Sequence, residues 1–235
     1  MGYYPIFVEM KGRAVLLVGG GRVALEKIEK LTDAGARVTV IAPTLVDGVD
    51  AFVKRGQAAW KPRPFAPGDT AGFEMVLVAT DDGAINKTVA NEARAAGIWV
   101  NASDDLTHCD FILPSLAARG KIAIAVSTGG TSPALARWLR ERMETFLSEE
   151  IERLGDLLAD VRLEARKRDR QCAATCDRTQ PPPPLLCQGC PTRIHPDRWQ
   201  QAIGNEILAL LRVGDYAGAR TRLVATLGLD QPLRK

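Results

Sequence analysis

The chain has 235 residues, 46% of them hydrophobic and 25% charged, with a formal net charge of +3. That is ordinary globular composition, with length for one or two domains and a sizeable core. The mild, evenly mixed charge implies no nucleic-acid partner but suits an anionic ligand locally, and no apolar run approaches the ~20 residues of a membrane span.

The opening MGYYPIFVEMKGR has no basic stretch followed by an apolar one, so no secretory signal is expected. Ile6 stands where a myristoylation site needs Ser or Thr. A cytoplasmic protein without membrane partners is expected, its five cysteines serving as thiols or metal ligands rather than disulfides. Residues 13–18, RAVLLV, read as a strand that stops at Gly19-Gly20-Gly21. A helix follows over 22–34, with Val23, Leu25, Ile28 and Leu31 apolar among Glu26, Lys27, Glu29 and Lys30, and Gly35 ends it. Next come a strand at 37–43, a weaker helix at 46–55 and a short strand at 58–60, before the Pro/Gly-rich KPRPFAPGDTAG. A strand at 74–80, a helix at 82–96 and a strand at 98–100 continue the alternation. Strands alternating with such helices predict parallel βαβ units with right-handed crossovers.

Beyond Val100 the pattern changes. Residues 111–115 and 121–127 read as a hairpin around Arg119-Gly120. STGGTSP then leads into a long helix with Ser132 as N-cap and Pro133 at its first position, a break near Leu147-Ser148 and an end near Arg168. Residues 171–196 are irregular and include the run PPPP, and two helices, about 196–213 and 215–227, close the chain. The predicted fold class is α/β. It has a Rossmann-like parallel sheet over 1–112, a β-hairpin/helix region over 113–147 and a helical C-terminal region over 148–235, with a four-cysteine segment at 172–190.

VLLVGGGRVALEK sets Gly19, Gly21 and Ala24 in a G-x-G-x-x-A pattern between a strand and a helix. Glycine first allows the tight turn and then the close approach of a pyrophosphate, and a small third residue lets the helix pack on the sheet. The free N–H groups and positive dipole end of the helix favour the phosphates. The plainer reading is a tight βα turn without a ligand. A ribose-binding acid belongs ~20 residues further on. The second strand instead ends Val40-Ile41-Ala42-Pro43-Thr44, and Asp47 lies too far along. No Arg stands there for a 2′-phosphate either, so NAD is expected over NADP.

YPIFVEMKGR, VGGGRVALEKI, VTVIAP, VATDDGAIN, VNASDD with CDFILPS, and VSTGGTSPALAR occur in this order over residues 1–150. Together they resemble the precorrin-2 dehydrogenases, the siroheme-synthase N-terminal module. The resemblance implies NAD-dependent oxidation of the tetrapyrrole precorrin-2 to sirohydrochlorin. It also implies a homodimer, with the region after the Rossmann-like domain as interface. Some members also insert Fe²⁺, so a bifunctional dehydrogenase and ferrochelatase is an alternative. With the sequence ending at Lys235, no methyltransferase domain is expected. A dinucleotide-sensing regulatory module is a reading of another class.

The family's acid falls on Asp104. Its cofactor turn falls on Gly19 to Arg22 and Val23, and its nicotinamide-end loop on Thr80 and Asp81. Ala42 and Pro43, at the end of the second strand, are assigned to the same cofactor site. A hydride and a proton must leave the substrate, and a carboxylate at the carboxyl end of a parallel strand suits the proton. Asp104 is the expected acceptor and Asp105 the turn. His108 is structural or exposed, or else a second proton carrier or an iron ligand, and Cys109 is a small buried hydrophobe. Thr128, Gly129, Gly130, Thr131 and Ser132 combine hydroxyls with N–H groups at a helix start, suited to substrate carboxylates or to simple capping. Arg119, Lys121, Arg137 and Arg140 are candidates for the same carboxylates or for plain solvation. Cys172, Cys176, Cys187 and Cys190 form C-x₃-C and C-x₂-C pairs, fit for Zn or an Fe–S cluster, for thiols or for a redox disulfide.

Overall fold

The computed structural model describes residues 2–102, 106–175 and 193–231. Its contacts divide the chain into two units, Met1–Leu113 with Gly129–Thr131, and Pro114–Thr128 with Ser132–Lys235.

In the first unit, β1 (Ala14–Val18), β2 (Arg37–Ile41), β3 (Ala58–Lys61), β4 (Met75–Val78) and β5 (Trp99–Ala102) form one sheet in the order β3-β2-β1-β4-β5. Every pairing is parallel. The connections carry α1 (Arg22–Asp33), α2 (Asp47–Lys54) and α3 (Gly83–Ala95). β4 is buried along its whole length, because helices cover both faces of a parallel sheet and leave no alternation. Val15, Leu17, Val38, Val40 and Leu77 pack under Ala24, Ile28 and Leu31 of α1 and Val49 of α2. Leu16, Val18, Val76, Val78 and Val100 pack on the other face with Val89, Ala90 and Ala93 of α3. The strand order reverses between β1 and β4, and that reversal opens a crevice at the carboxyl ends of the strands.

The second unit starts with β6 (Ser115–Arg119) and β7 (Ile122–Val126), paired antiparallel from Ser115↔Val126 to Arg119↔Ile122. This corrects the expected register. The turn is Gly120-Lys121, with Gly120 at φ 55°, and the first strand begins four residues later than the apolar run FIL suggests. Phe111 is used elsewhere: its side chain packs on the α1 side of the first unit, and its carbonyl accepts from Asn101 Nδ2 at 2.9 Å.

α4 (Pro133–Phe146) starts as expected, with Ser132 Oγ accepting from the Leu135 N–H at 3.2 Å. After the break at Leu147-Ser148, α5 (Glu149–Thr175) runs past the expected end at Arg168. α6 (Pro196–Ala202), α7 (Asn205–Arg212) and α8 (Tyr216–Leu227) replace the two closing helices, because Gly204 interrupts the first of them. Leu154, Leu157 and Val161 of α5 meet Ile207, Leu211, Leu223 and Leu227 in one core. Arg153 and Arg168 donate to the carbonyls of Leu211 and Gly228, each at 2.9 Å, capping the ends of α7 and α8. Among the described residues, no helix is long and apolar enough to cross a membrane.

One loop of the first unit is held by charge. Asp69 accepts from Arg63 Nη1 and Nη2 at 2.6 and 2.5 Å and from the Ala66 N–H at 2.8 Å. The Arg63 hydrogen bonds hold its carboxyl down to about 2, from the ordinary 3.8. A folded pKa below the unfolded one gives stability that is complete above the unfolded value and lost as pH falls through the folded one. Asp69→Asn is expected to cost about 1–2 kcal/mol at neutral pH, after allowance for the half-exposed arginine. Urea unfolding at pH 7 and at pH 2.5 checks this: the difference between variant and parent should shrink at the lower pH.

Candidate cofactor site

The carboxyl edge of the sheet holds a cleft of about 580 Å³ around the glycine turn. Gly19 has φ 116°, donates to the Ile41 carbonyl at 2.9 Å, and would place a Cβ 2.2 Å from the Ala79 carbonyl oxygen. Gly20 would place one 2.2 Å from the Thr44 carbonyl oxygen. Both glycines are therefore required by the protein's own backbone. Gly21 differs: nothing lies within 4 Å of where its Cβ would stand. It is the N-cap of α1 and offers no side chain to the first-turn N–H groups, which leaves them for an anion. Gly19, Gly21, Arg22 and Val23 all line the cleft. Ala24 does not; it is fully buried beneath the helix, where a small residue allows close packing on the sheet.

Ala42 and Pro43 form the next part of the lining, and Trp60 Nε1 donates to the Ala42 carbonyl at 2.9 Å. Thr44, Leu45 and Val46 continue it, so this part carries no charge. Thr80 and Asp81 stand beyond β4. Thr80 Oγ1 donates to Asn86 Oδ1 at 2.5 Å, and Asn86 Nδ2 returns a bond to the Thr80 carbonyl at 3.0 Å. Asp82 caps α3 by accepting from the Ala84 and Ile85 N–H groups at 2.9 and 3.1 Å. Asp81 is thus an exposed acid on a fixed stretch of backbone.

Asp104 and Asp105 lie outside the described residues. Their flanks do not. Asn101, near the end of β5, is 7% exposed and accepts from Lys27 Nζ at 3.3 Å, and Lys27 is 9% exposed on the buried side of α1. Cys109, expected as a simple hydrophobe, packs against the α3-side core but also hydrogen-bonds. Its Sγ accepts from the Ala102 N–H at 3.2 Å and donates to the Ala102 carbonyl at 3.0 Å. His108 is half-buried with Nδ1 3.2 Å from Thr107 Oγ1.

In the second unit, Thr128 Oγ1 accepts from the Ser132 N–H at 3.1 Å and donates to the Ser132 carbonyl at 3.0 Å. Gly129 and Gly130, at φ 63° and 85°, turn the chain toward Thr131 and the helix. Arg119, Lys121, Arg137 and Arg140 each face an acid of the same unit: Glu152, Asp156, Glu141 and Glu144 in turn. Cys172 lies half-buried near the end of α5, whereas Cys176, Cys187 and Cys190 lie outside the described residues. Among the described residues, no group of three or more His, Cys, Asp or Glu is placed to hold a metal.

Sequence reading missed Gly20, Phe65 and Ile85 as lining residues and Lys27 as a core residue. The unbroken GGG was the signal for Gly20. The two glycine types are expected to separate by experiment. Gly19→Ala should lower both thermal stability and NADH affinity, because its Cβ meets backbone. Gly21→Ala should lower the melting temperature much less than Gly19→Ala, by the poorer N-cap alone, and weaken NADH binding at least ~10-fold by crowding the ligand. Calorimetry and NADH fluorescence titration read the two effects.

Residues 6–115 match the family model described as putative NAD(P)-binding, and residues 119–145 match the sirohaem biosynthesis protein central model. The siroheme synthase of Methylococcus capsulatus is 43% identical over 71% of this chain and 35% of its own length. That of Nitrosococcus oceani is 40% identical over 72% of this chain and 36% of its own length. The chain thus spans about a third of the curated relatives it matches. A solved structure described as SirC, precorrin-2 dehydrogenase, has a TM-score of 0.69 at 22% identity, covering 95% of this chain and 100% of that one, a likeness of fold. The two models follow one another along the chain, which is similar to the siroheme synthases over about 71% of its own length.

Proposed function

We propose that this chain is a cytoplasmic precorrin-2 dehydrogenase. It oxidises precorrin-2 to sirohydrochlorin, with NAD⁺ reduced to NADH and one proton released. The observation that carries this reading is the glycine-edged cleft in a chain that continues into the sirohaem central block. Gly19, Gly21, Arg22 and Val23 hold the pyrophosphate, Ala42 and Pro43 flank the adenosine half, and Thr80 and Asp81 stand at the nicotinamide half. The bound nicotinamide supplies the hydride acceptor. The uncharged segment after β2 has no cation for a 2′-phosphate, which favours NAD over NADP. Asp104 takes the proton, following β5 by two residues. The Thr128–Ser132 loop, with its hydroxyls and left-handed glycines, binds carboxylates of the substrate.

An assay with precorrin-2 tests the reading. NADH is expected to form with NAD⁺, and NADP⁺ is expected to bind at least ~10-fold more weakly. Asp104→Asn should lower kcat by ~100-fold or more with NADH affinity retained. A parent protein that binds NADH but yields none from precorrin-2 overturns the dehydrogenase assignment, and an Asp104→Asn enzyme of full turnover overturns the proton acceptor.

The chain acts as a homodimer through residues 113–147. Leu135, Trp138 and Phe146 share one face of α4 by their spacing and are 47%, 48% and 60% exposed. Trp138→Glu is expected to shift sedimentation from dimer to monomer at micromolar concentration, without loss of helical circular dichroism.

A further inference from the structure

The connection from β3 to β4 has no helix or strand of its own, yet it is held at several points. Glu92, on α3, accepts from the Gly68 N–H at 2.9 Å, the Thr70 N–H at 3.1 Å and Thr70 Oγ1 at 2.5 Å. Thr70 is 2% exposed. Burial alone pushes the Glu92 carboxyl up, but the bonds from Thr70 and Gly68 outweigh it and leave it below the ordinary range. Asp69, between those two donors, grips Arg63 and the Ala66 N–H. Lys61 Nζ completes the charged set at 3.8 Å from Asp69.

The residues between these anchors are Pro64 and Phe65, and they are the part of the loop that lines the cleft. Phe65 packs with Ile85 on the α3-side core, and Ile85 lines the cleft too. The loop leaves β3, the neighbour of β2, and Phe65 shares one core with Ile41 at the end of β2 as well as with Ile85. Two acids therefore fix an apolar wall at a site whose own lining there is uncharged. Such prior order spares a ligand the entropy of arranging its own pocket.

We propose that Glu92 is a positioning residue for the dinucleotide, acting through Phe65. By fixing residues 62–73 it makes Pro64 and Phe65 a preformed wall on which the adenine ring packs. This rests on the cleft being the cofactor site, and it is independent of which substrate is oxidised.

The test is a titration of the full chain with NADH and, in competition, with ADP, which carries the adenosine and pyrophosphate alone. Phe65→Ala is expected to weaken both probes by a similar factor, roughly 10-fold, with Phe65→Leu between it and the parent. Glu92→Gln is expected to weaken both roughly 5-fold, raising KM for NAD⁺ and leaving kcat unchanged. Glu92→Asp should recover part of the loss.

A lowered melting temperature with parental affinity in Glu92→Gln makes Glu92 structural only and overturns the proposal. A loss for NADH without a loss for ADP in Phe65→Ala overturns the adenine assignment. If Glu92→Gln fails to fold, Thr70→Val, which removes one of the three bonds, carries the same expected loss for both probes, and parental affinity in it overturns the proposal. A parent that binds both probes but fails to oxidise precorrin-2 removes the proposed substrate while this inference stands. A parent that binds neither probe removes both.

Discussion

The first unit depends on backbone meeting backbone at the end of β1. Gly19 lies so near the Ala79 carbonyl, and Gly20 so near the Thr44 carbonyl, that any side chain there would force neighbouring strand ends apart. Because the chain can turn in that narrow space, β1 stays paired with β2 on one side and β4 on the other right up to the turn, and α1 starts immediately beyond it. The parallel sheet, the crevice at its reversal and the uncapped helix start are consequences of one close approach. Gly21 then keeps space on the cleft side, so of the three adjacent glycines two let the backbone close up and one leaves the cleft open.

The two units use charge in different ways. In the first, Asp69 and Glu92 gather N–H groups of an otherwise irregular loop, replacing the hydrogen-bond ladder that a strand or helix would have supplied. In the second, arginines reach from α5 to carbonyls at the ends of α7 and α8, where free acceptors and a negative dipole end coincide. Surface pairs such as Arg137 with Glu141 add little to stability by comparison, since both partners remain in water. The acids facing Arg119 and Lys121 also draw those cations toward α5.

The alternation of strands and helices was legible because a buried parallel strand and an amphipathic helix leave different periodicities. Each strand and each α-helix of the first unit falls where the pattern puts it, within a residue or two, whereas the 3-10 turn at Leu106–His108 has no periodicity to announce it. The expected hairpin starts too early because FIL has the apolarity of a strand, and nothing local tells that Phe111 belongs to the first unit and packs on that unit's own core. The closing helices were merged because their periodicity carries through Gly204, where the break is a backbone property. In the cleft, residues near the glycine motif could be named from spacing. Phe65 and Ile85 could not, since a loop's path over a sheet edge follows from anchors as distant as Glu92.

Lys27 marks the limit of periodicity as a guide to burial. Ala24, Lys27, Ile28 and Leu31 form the inward stripe of α1, yet the lysine's charge placed it among the solvent-facing residues when read from sequence. Inside the fold its ammonium meets the Asn101 oxygen. The Asn101 amide nitrogen in turn donates to the Phe111 carbonyl at 2.9 Å. Asn101 pairs in register with Leu77, whose side chain belongs to the α1-side core, so its amide projects into that same layer. The side chain thus ties α1, β5 and the returning segment together through polar contacts that require a particular arrangement, where apolar residues would tolerate several. Burying an ammonium is costly unless its partners are fixed, and here the partner is an amide that is itself held by the Phe111 carbonyl near the end of β5.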